Sequence, residues 1–322
     1  MHSPVYLTIC AASVGGMLLF GAPDLSSMVF SLALAIAVLG VPHGGLDHWT
    51  GRRLLQHRWG NHWWAVFFPA YLLVGFTFAI GWFVMPTITV LAFFLISAWH
   101  FGREEQIASE CKPSFQTQPH SRAHWLLQHL VAIAMGGLVI WIAAIARPDE
   151  MVSLLSLIVP TNGAVSSIEI IAYTQWPAAF LVPVAATMGL RQLVRSPRDC
   201  ESWVPVATAM VAICLPILVS FAIYFCAWHS WQGLQRLRRS ESLTVTQFVR
   251  YTAPLSVAAI LGVIASAWWM QGTLPTPTLG NQNSASLQTV FIGLSAIAVP
   301  HLFLHELDAR RVRSTSRQEV YA

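Results

Sequence analysis

Long uninterrupted runs of apolar residues, separated by short polar segments, set the pattern of this chain from end to end. The runs are Pro4 to Gly21, Met28 to Leu46, Trp63 to Val84, Ile88 to Phe101, His124 to Ala146, Ile170 to Leu193, Val204 to Leu234, Ala253 to Met270 and Leu287 to Leu304. A membrane-spanning helix needs about 20 apolar residues, and only helices or closed barrels satisfy their own backbone where there is no water. Continuous runs rather than ten-residue alternations predict helices. The expected fold is therefore an all-α, polytopic integral membrane helix bundle of about eight or nine spans.

Three segments break the simple pattern. Val204 to Leu234 is 31 residues long, too much for one crossing, and Pro216 removes a backbone donor near its middle, which predicts a broken or re-entrant segment. Met151 to Pro160 is apolar but too short to cross, and is expected to lie at the interface or to dip in; Pro275 to Ser284 is expected to be a loop. The first run lacks the basic leader of a secretory signal and is expected to stay as a membrane helix. The chain divides into one transmembrane domain over residues 1–310 and a basic cytoplasmic tail over 311–322.

Composition strengthens this picture. Of 322 residues 55% are hydrophobic and 10% charged, with a mean hydropathy of +0.58, against roughly 25% charged residues in soluble domains. The net charge of +4 comes from residues scattered along the chain, so no nucleic-acid partner is expected. Five cysteines without a CxxC pair argue against a fully paired disulfide framework. Basic residues stay on the cytoplasmic side of a membrane. With the amino terminus inside and the Pro216 segment re-entrant, every Lys and Arg except Arg147 falls inside. This topology predicts a multi-pass protein of the inner (plasma) membrane with both termini cytoplasmic.

Candidate chemistry comes from histidine. His43, His100, His229 and His301 each end an apolar segment, and the topology brings all four to one level of the bilayer. Ionisable groups in membrane spans point to function, and neutral imidazole drawn one per helix is how bundles build metal sites. Asp47, Glu104, Glu105, Glu306 and Asp308 stand close enough in sequence to orient such ligands. His305 and His129 are further candidate ligands. The tryptophans at the span ends fit an interfacial belt.

Several motifs taken together resemble a known family. Pro42-His43-Gly44-Gly45-Leu46-Asp47, His100-Phe101-Gly102, Tyr224-Phe225-Cys226 with His229-Ser230, and Leu287 to Leu294 followed by Val299-Pro300-His301 resemble the Brp/Blh family of membrane-bound β-carotene 15,15′-dioxygenases. The resemblance implies a helical enzyme with non-haem iron(II) held by His43, His100 and His229. It would use O2 to cleave β-carotene at its central double bond into two all-trans retinal molecules, for use by a microbial rhodopsin. An apolar polyene that dissolves only in membrane lipid fits an apolar bundle. His301 is taken with the three carried-over ligands, and Asp47, Glu105 and Tyr224 are the candidate catalytic residues.

One position departs from the family. Its third motif is His-Ser-x-x-His, and here the run His229-Ser230-Trp231-Gln232-Gly233 ends in glycine. His301, His305 and His129 are the candidates for completing the shell. Two other readings stand beside central cleavage: a divergent member that binds a carotenoid, retinal or metal without cleaving, and a transporter, suggested by the broken helix.

Overall fold

The computed structural model describes residues 3–110, 122–159, 163–273 and 279–320. Among these residues the chain is all helical. Helix α1 (Ser3–Phe20) is followed by α2 (Leu25–Ala35), which continues through a π-helical turn (Ile36–Gly40) into the short α3 (Val41–His43). Next come α4 (Asp47–Trp59), α5 (Trp63–Val84), α6 (Pro86–Glu110), α7 (Arg122–Gly136), α8 (Leu138–Ala146), α9 (Pro148–Ile158) and α10 (Gly163–Arg195). Helices α11 (Val204–Cys214) and α12 (Ile217–Ala222) lead into a second π-helical stretch (Ile223–Ser230), then α13 (Trp231–Ser240), α14 (Val245–Thr273) and α15 (Leu279–Val320).

Among the described residues, five stretches of helix are long and apolar enough to cross a membrane, or six if a bent pair counts as one. The expected second and third spans are both present within Leu25–Val84, as α2 with its continuation to His43 and as α5, divided by the polar helix α4. The expected fourth span, Ile88 to Phe101, covers only about 21 Å at 1.5 Å per residue, short of a core roughly 30 Å thick. The expected fifth span is bent by 61° between α7 and α8. At that bend Gly137 lets the Trp141 indole fold back and donate to the Ile133 carbonyl, 2.9 Å away. The outer flank carries exposed Leu72, Leu73, Phe76 and Ile80 on α5, as expected of helices that pack against lipid.

The break expected at Pro216 is present. Leu215 and Pro216 are extended between α11 and α12, and one ion pair satisfies both frayed ends. Glu150 accepts from the Ile217 N–H (2.7 Å), while Arg147 donates to the Leu215 carbonyl (2.7 Å) and pairs with Glu150 (2.6 Å). Arg147, the one basic residue left outside by the charge count, thus stabilises the segment leading to His229. Helix α9 dips into the bundle, the second of the two placements expected for it: Met151, Leu155 and Ile158 are buried, while Ser153 and Ser156 on its other side are exposed. The loop expected from Pro275 is shorter than the sequence suggests, since α15 begins at Leu279 and residues 274–278 lie outside the described residues.

Helices α6 and α7 approach until their backbones touch, through small residues four apart on each. A Cβ at Gly102 would overlap the Ala132 carbonyl, and one at Gly136 the Ala98 carbonyl. This small-residue seam is a device of helix packing in lipid, and it fixes the turn of α6 that carries His100. Gly102→Ala should lower stability by about 1–3 kcal/mol through overpacking, read as a lower unfolding temperature of the detergent-solubilised protein. An unchanged temperature would mean that the seam gives without cost.

Candidate metal centre

Two of the four histidines lie in or just after a π-helical turn, a geometry frequent at functional sites. One π-turn ends just before His43, and the other contains His229. His100 lies on α6 and His301 on α15 beside Pro300. All four imidazoles are buried, and their rings form one cluster. Ring centroids are 5.4 Å apart for His43 and His229, 5.0 Å for His43 and His301, 5.1 Å for His100 and His229, and 5.7 Å for His100 and His301.

Buried ring nitrogens ordinarily find hydrogen-bond partners. Here neither nitrogen of His43 has one among the described residues, nor does Nε2 of His301. The other nitrogen of His301, Nδ1, donates to Asp47, at 2.8 and 2.9 Å from its two carboxylate oxygens. A carboxylate only accepts, so the proton is on Nδ1 and Nε2 presents a lone pair to the cluster. The Tyr71 hydroxyl donates to the same carboxylate (2.8 Å), and His305 Nε2 lies 3.6 Å from it. Asp47 opens α4, where the partial positive charge of a helix amino terminus suits it.

Donor atoms of His43, His100, His229 and Glu104 all lie within 4.8 Å of one another, as do those of Asp47, His301 and His305. An ion bound about 2 Å from each donor requires donor separations on the order of 3–4 Å. Orphaned imidazole nitrogens gathered within 4.8 Å of further donor atoms are close enough for small side-chain rotations to seat a metal ion. His129 is elsewhere: its Nδ1 donates to the Trp125 carbonyl, on an exposed part of α7.

Glu105 and Tyr224 lie beside the cluster rather than facing its open side. Tyr224 donates to Glu105 (3.2 Å), and so does the Trp228 indole (2.8 Å). That places Trp228 in the interior and not in an interfacial belt. Two participants gave little sequence signal. Tyr71 is a lone tyrosine inside the apolar run Trp63 to Val84. Arg236, which donates to Glu104, is distant from it in the chain.

The histidines close one end of an apolar cavity of about 370 Å³. Lining residues run from Phe30 to His43, from Val90 to His100, from Ile217 to His229 and from Val290 to His301, and each run stops at or within one residue of its histidine. Phe30 and Leu34 of α2 and Ile264 of α14 line the cavity and are also exposed, so it opens through the apolar flank.

Residues 34–307 match the sequence model of the family described as beta-carotene 15,15'-dioxygenase. The chain belongs to that family. The beta-carotene 15,15'-dioxygenase of an uncultured marine bacterium, 66A03, is 29% identical over 280 residues, covering 84% of this chain and 91% of the relative. A probable beta-carotene 15,15'-dioxygenase, Blh, of Halobacterium salinarum is 25% identical over 297 residues, covering 84% of this chain and 81% of its own length. No solved structure matches the chain. The Brp/Blh resemblance of the motifs is thereby borne out, and the β-carotene 15,15′-dioxygenase family is the setting for the buried histidines.

Proposed function

We propose that this protein is an iron-dependent oxygenase of the inner membrane that cleaves β-carotene at its 15,15′ double bond into two all-trans retinal molecules. In this reading both termini are cytoplasmic and residues 1–310 form one membrane domain. The observation that carries it is the convergence of His43, His100, His229 and His301 at the closed end of a lipid-facing apolar cavity.

Those four histidines would hold the iron, and bound iron with open positions supplies O2 activation. Asp47 and Tyr71 fix the ring orientation and tautomer of His301. Glu105 and Tyr224 act as positioning residues that brace the π-helical stretch bearing His229. The cavity orients the substrate. From Val290 to His301 is eleven residues along α15, roughly 16 Å of helix. β-Carotene is a rod about as long as the hydrocarbon core is thick, roughly 30 Å, so one half spans the cavity with its central bond at the histidines. The near absence of polar lining excludes water and favours an apolar polyene over ions, which speaks against a transporter.

The test is expression in bacteria that accumulate β-carotene. Loss of colour with two retinal molecules per carotene consumed is expected. Retained colour with carotenoid co-purifying would favour binding without cleavage. Ala298, one turn before His301, lines the cavity, and Ala298→Phe should reduce cleavage at least roughly tenfold by filling the substrate path while metal content stays unchanged. Unimpaired cleavage by that variant would mean that the substrate takes another path.

A further inference from the structure

We propose that Glu104 is itself a metal ligand, giving this chain a carboxylate oxygen where the family's motif has a second histidine and this sequence has Gly233. The proposal rests on the metal-centre reading above.

His100 and Glu104 are one turn apart on α6 and project to the same side. Glu104 Oε1 is 3.9 Å from Nε2 of both His43 and His100, and Oε2 is 4.0 Å from Nδ1 of His229. Those separations are too long for hydrogen bonds and suit atoms that share one ion. A single carboxylate thus faces three imidazoles and bonds to none of them.

Helix α13 holds Glu104 in this pose. Arg236 donates to Oε2 (3.1 Å) and to the Glu104 backbone carbonyl (2.9 Å), leaving Oε1 turned toward His43 and His100. Gly233 lies one turn earlier on the same face of α13, and a Cβ there would overlap the imidazole of His43. The motif's second histidine and the observed His43 therefore cannot occupy this space together. The missing side chain leaves no gap: His43 packs against bare backbone, and Arg236 delivers Glu104 to the vacated side. A set of histidines with one carboxylate is also a ligand chemistry suited to iron(II) oxygenases. A simple ion pair with Arg236 would bury a carboxylate among three imidazoles for no return, since a surface placement of the same pair avoids the desolvation cost.

The experiment uses the full chain in detergent, freed of metal, titrated anaerobically with Fe(II), and with Co(II) for its visible spectrum. The unaltered protein should bind one ion, and His229→Gln should lose it. Glu104→Gln, which keeps the side-chain volume and an acceptor for Arg236, should weaken binding at least roughly tenfold and alter the cobalt spectrum; Glu104→Asp should recover part of the affinity. If His229→Gln loses the metal while Glu104→Gln binds it with unchanged affinity and spectrum, the Glu104 proposal is overturned and the centre stands. If the unaltered protein binds no ion, the centre itself is wrong. Arg236→Met separates an ion-pair role. A loss of thermal stability equal to that of Glu104→Gln, with metal affinity intact in both, would also overturn the proposal.

Discussion

Replacing His229 should empty the metal centre and abolish retinal formation. The ring is buried in a π-helical stretch, packed on Phe101 at a centroid distance of 4.3 Å and on His100 and His43. Neither His301, tied to Asp47, nor His129, bonded to the Trp125 carbonyl, is placed to take over its position. His229→Gln is the informative variant: it keeps a polar side chain of similar size, whereas alanine would add a cavity worth several kcal/mol. The expected result is metal content below about a tenth of wild type and a fall in retinal production of two orders of magnitude or more, as for removal of a catalytic metal's ligand. Elemental analysis and retinal extraction read the two effects separately. A variant that keeps both would remove His229 from the centre.

The second large effect is expected at Gly233. Alanine adds only one methyl group, yet its Cβ would overlap the His43 ring. Either the His43 imidazole rotates out of the cluster, or α13 moves outward and Arg236 loses its hold on Glu104. Gly233→Ala should therefore weaken metal binding at least roughly tenfold and cost about 1–3 kcal/mol of stability. Gly233→His restores the family's His-Ser-x-x-His spelling and should behave like alanine, not better than wild type. Higher metal affinity and more retinal from Gly233→His would show that the glycine is a lost ligand rather than a packing requirement.

Much of the fold was legible because apolar runs and proline act locally. The broken segment at Pro216 followed from its length and one residue, and the structure has the break there. The four histidines were legible as a group because each ends an apolar run, so the helical path alone brings them to one level. The bend at Gly137 was not legible, since a glycine inside an apolar run costs little until a partner such as the Trp141 indole folds over it. The place of α9 was left between interface and interior for a related reason: a short apolar segment suits both equally, and its neighbours decide for the interior.

The candidate site divides in the same way. Asp47 was marked by its spacing from His43, but its partner is His301, 254 residues away. Glu104 was visible as the acid one turn after His100. Its clamp by Arg236, 132 residues on, was not. Glu105 stood next to Glu104 and looked equivalent in sequence, yet its side chain turns to Tyr224 and Trp228.

By itself, then, the sequence determined the helical class, the motifs of the family and the level at which the histidines gather, because hydrophobic runs, proline and short motifs act over one or two turns of helix. Only the tertiary structure decided which nitrogen of His301 is left bare, which of two adjacent glutamates faces the imidazoles, and why glycine stands at 233. Those outcomes depend on contacts between helices far apart in the chain, where an overlap of one carbon atom decides what fits.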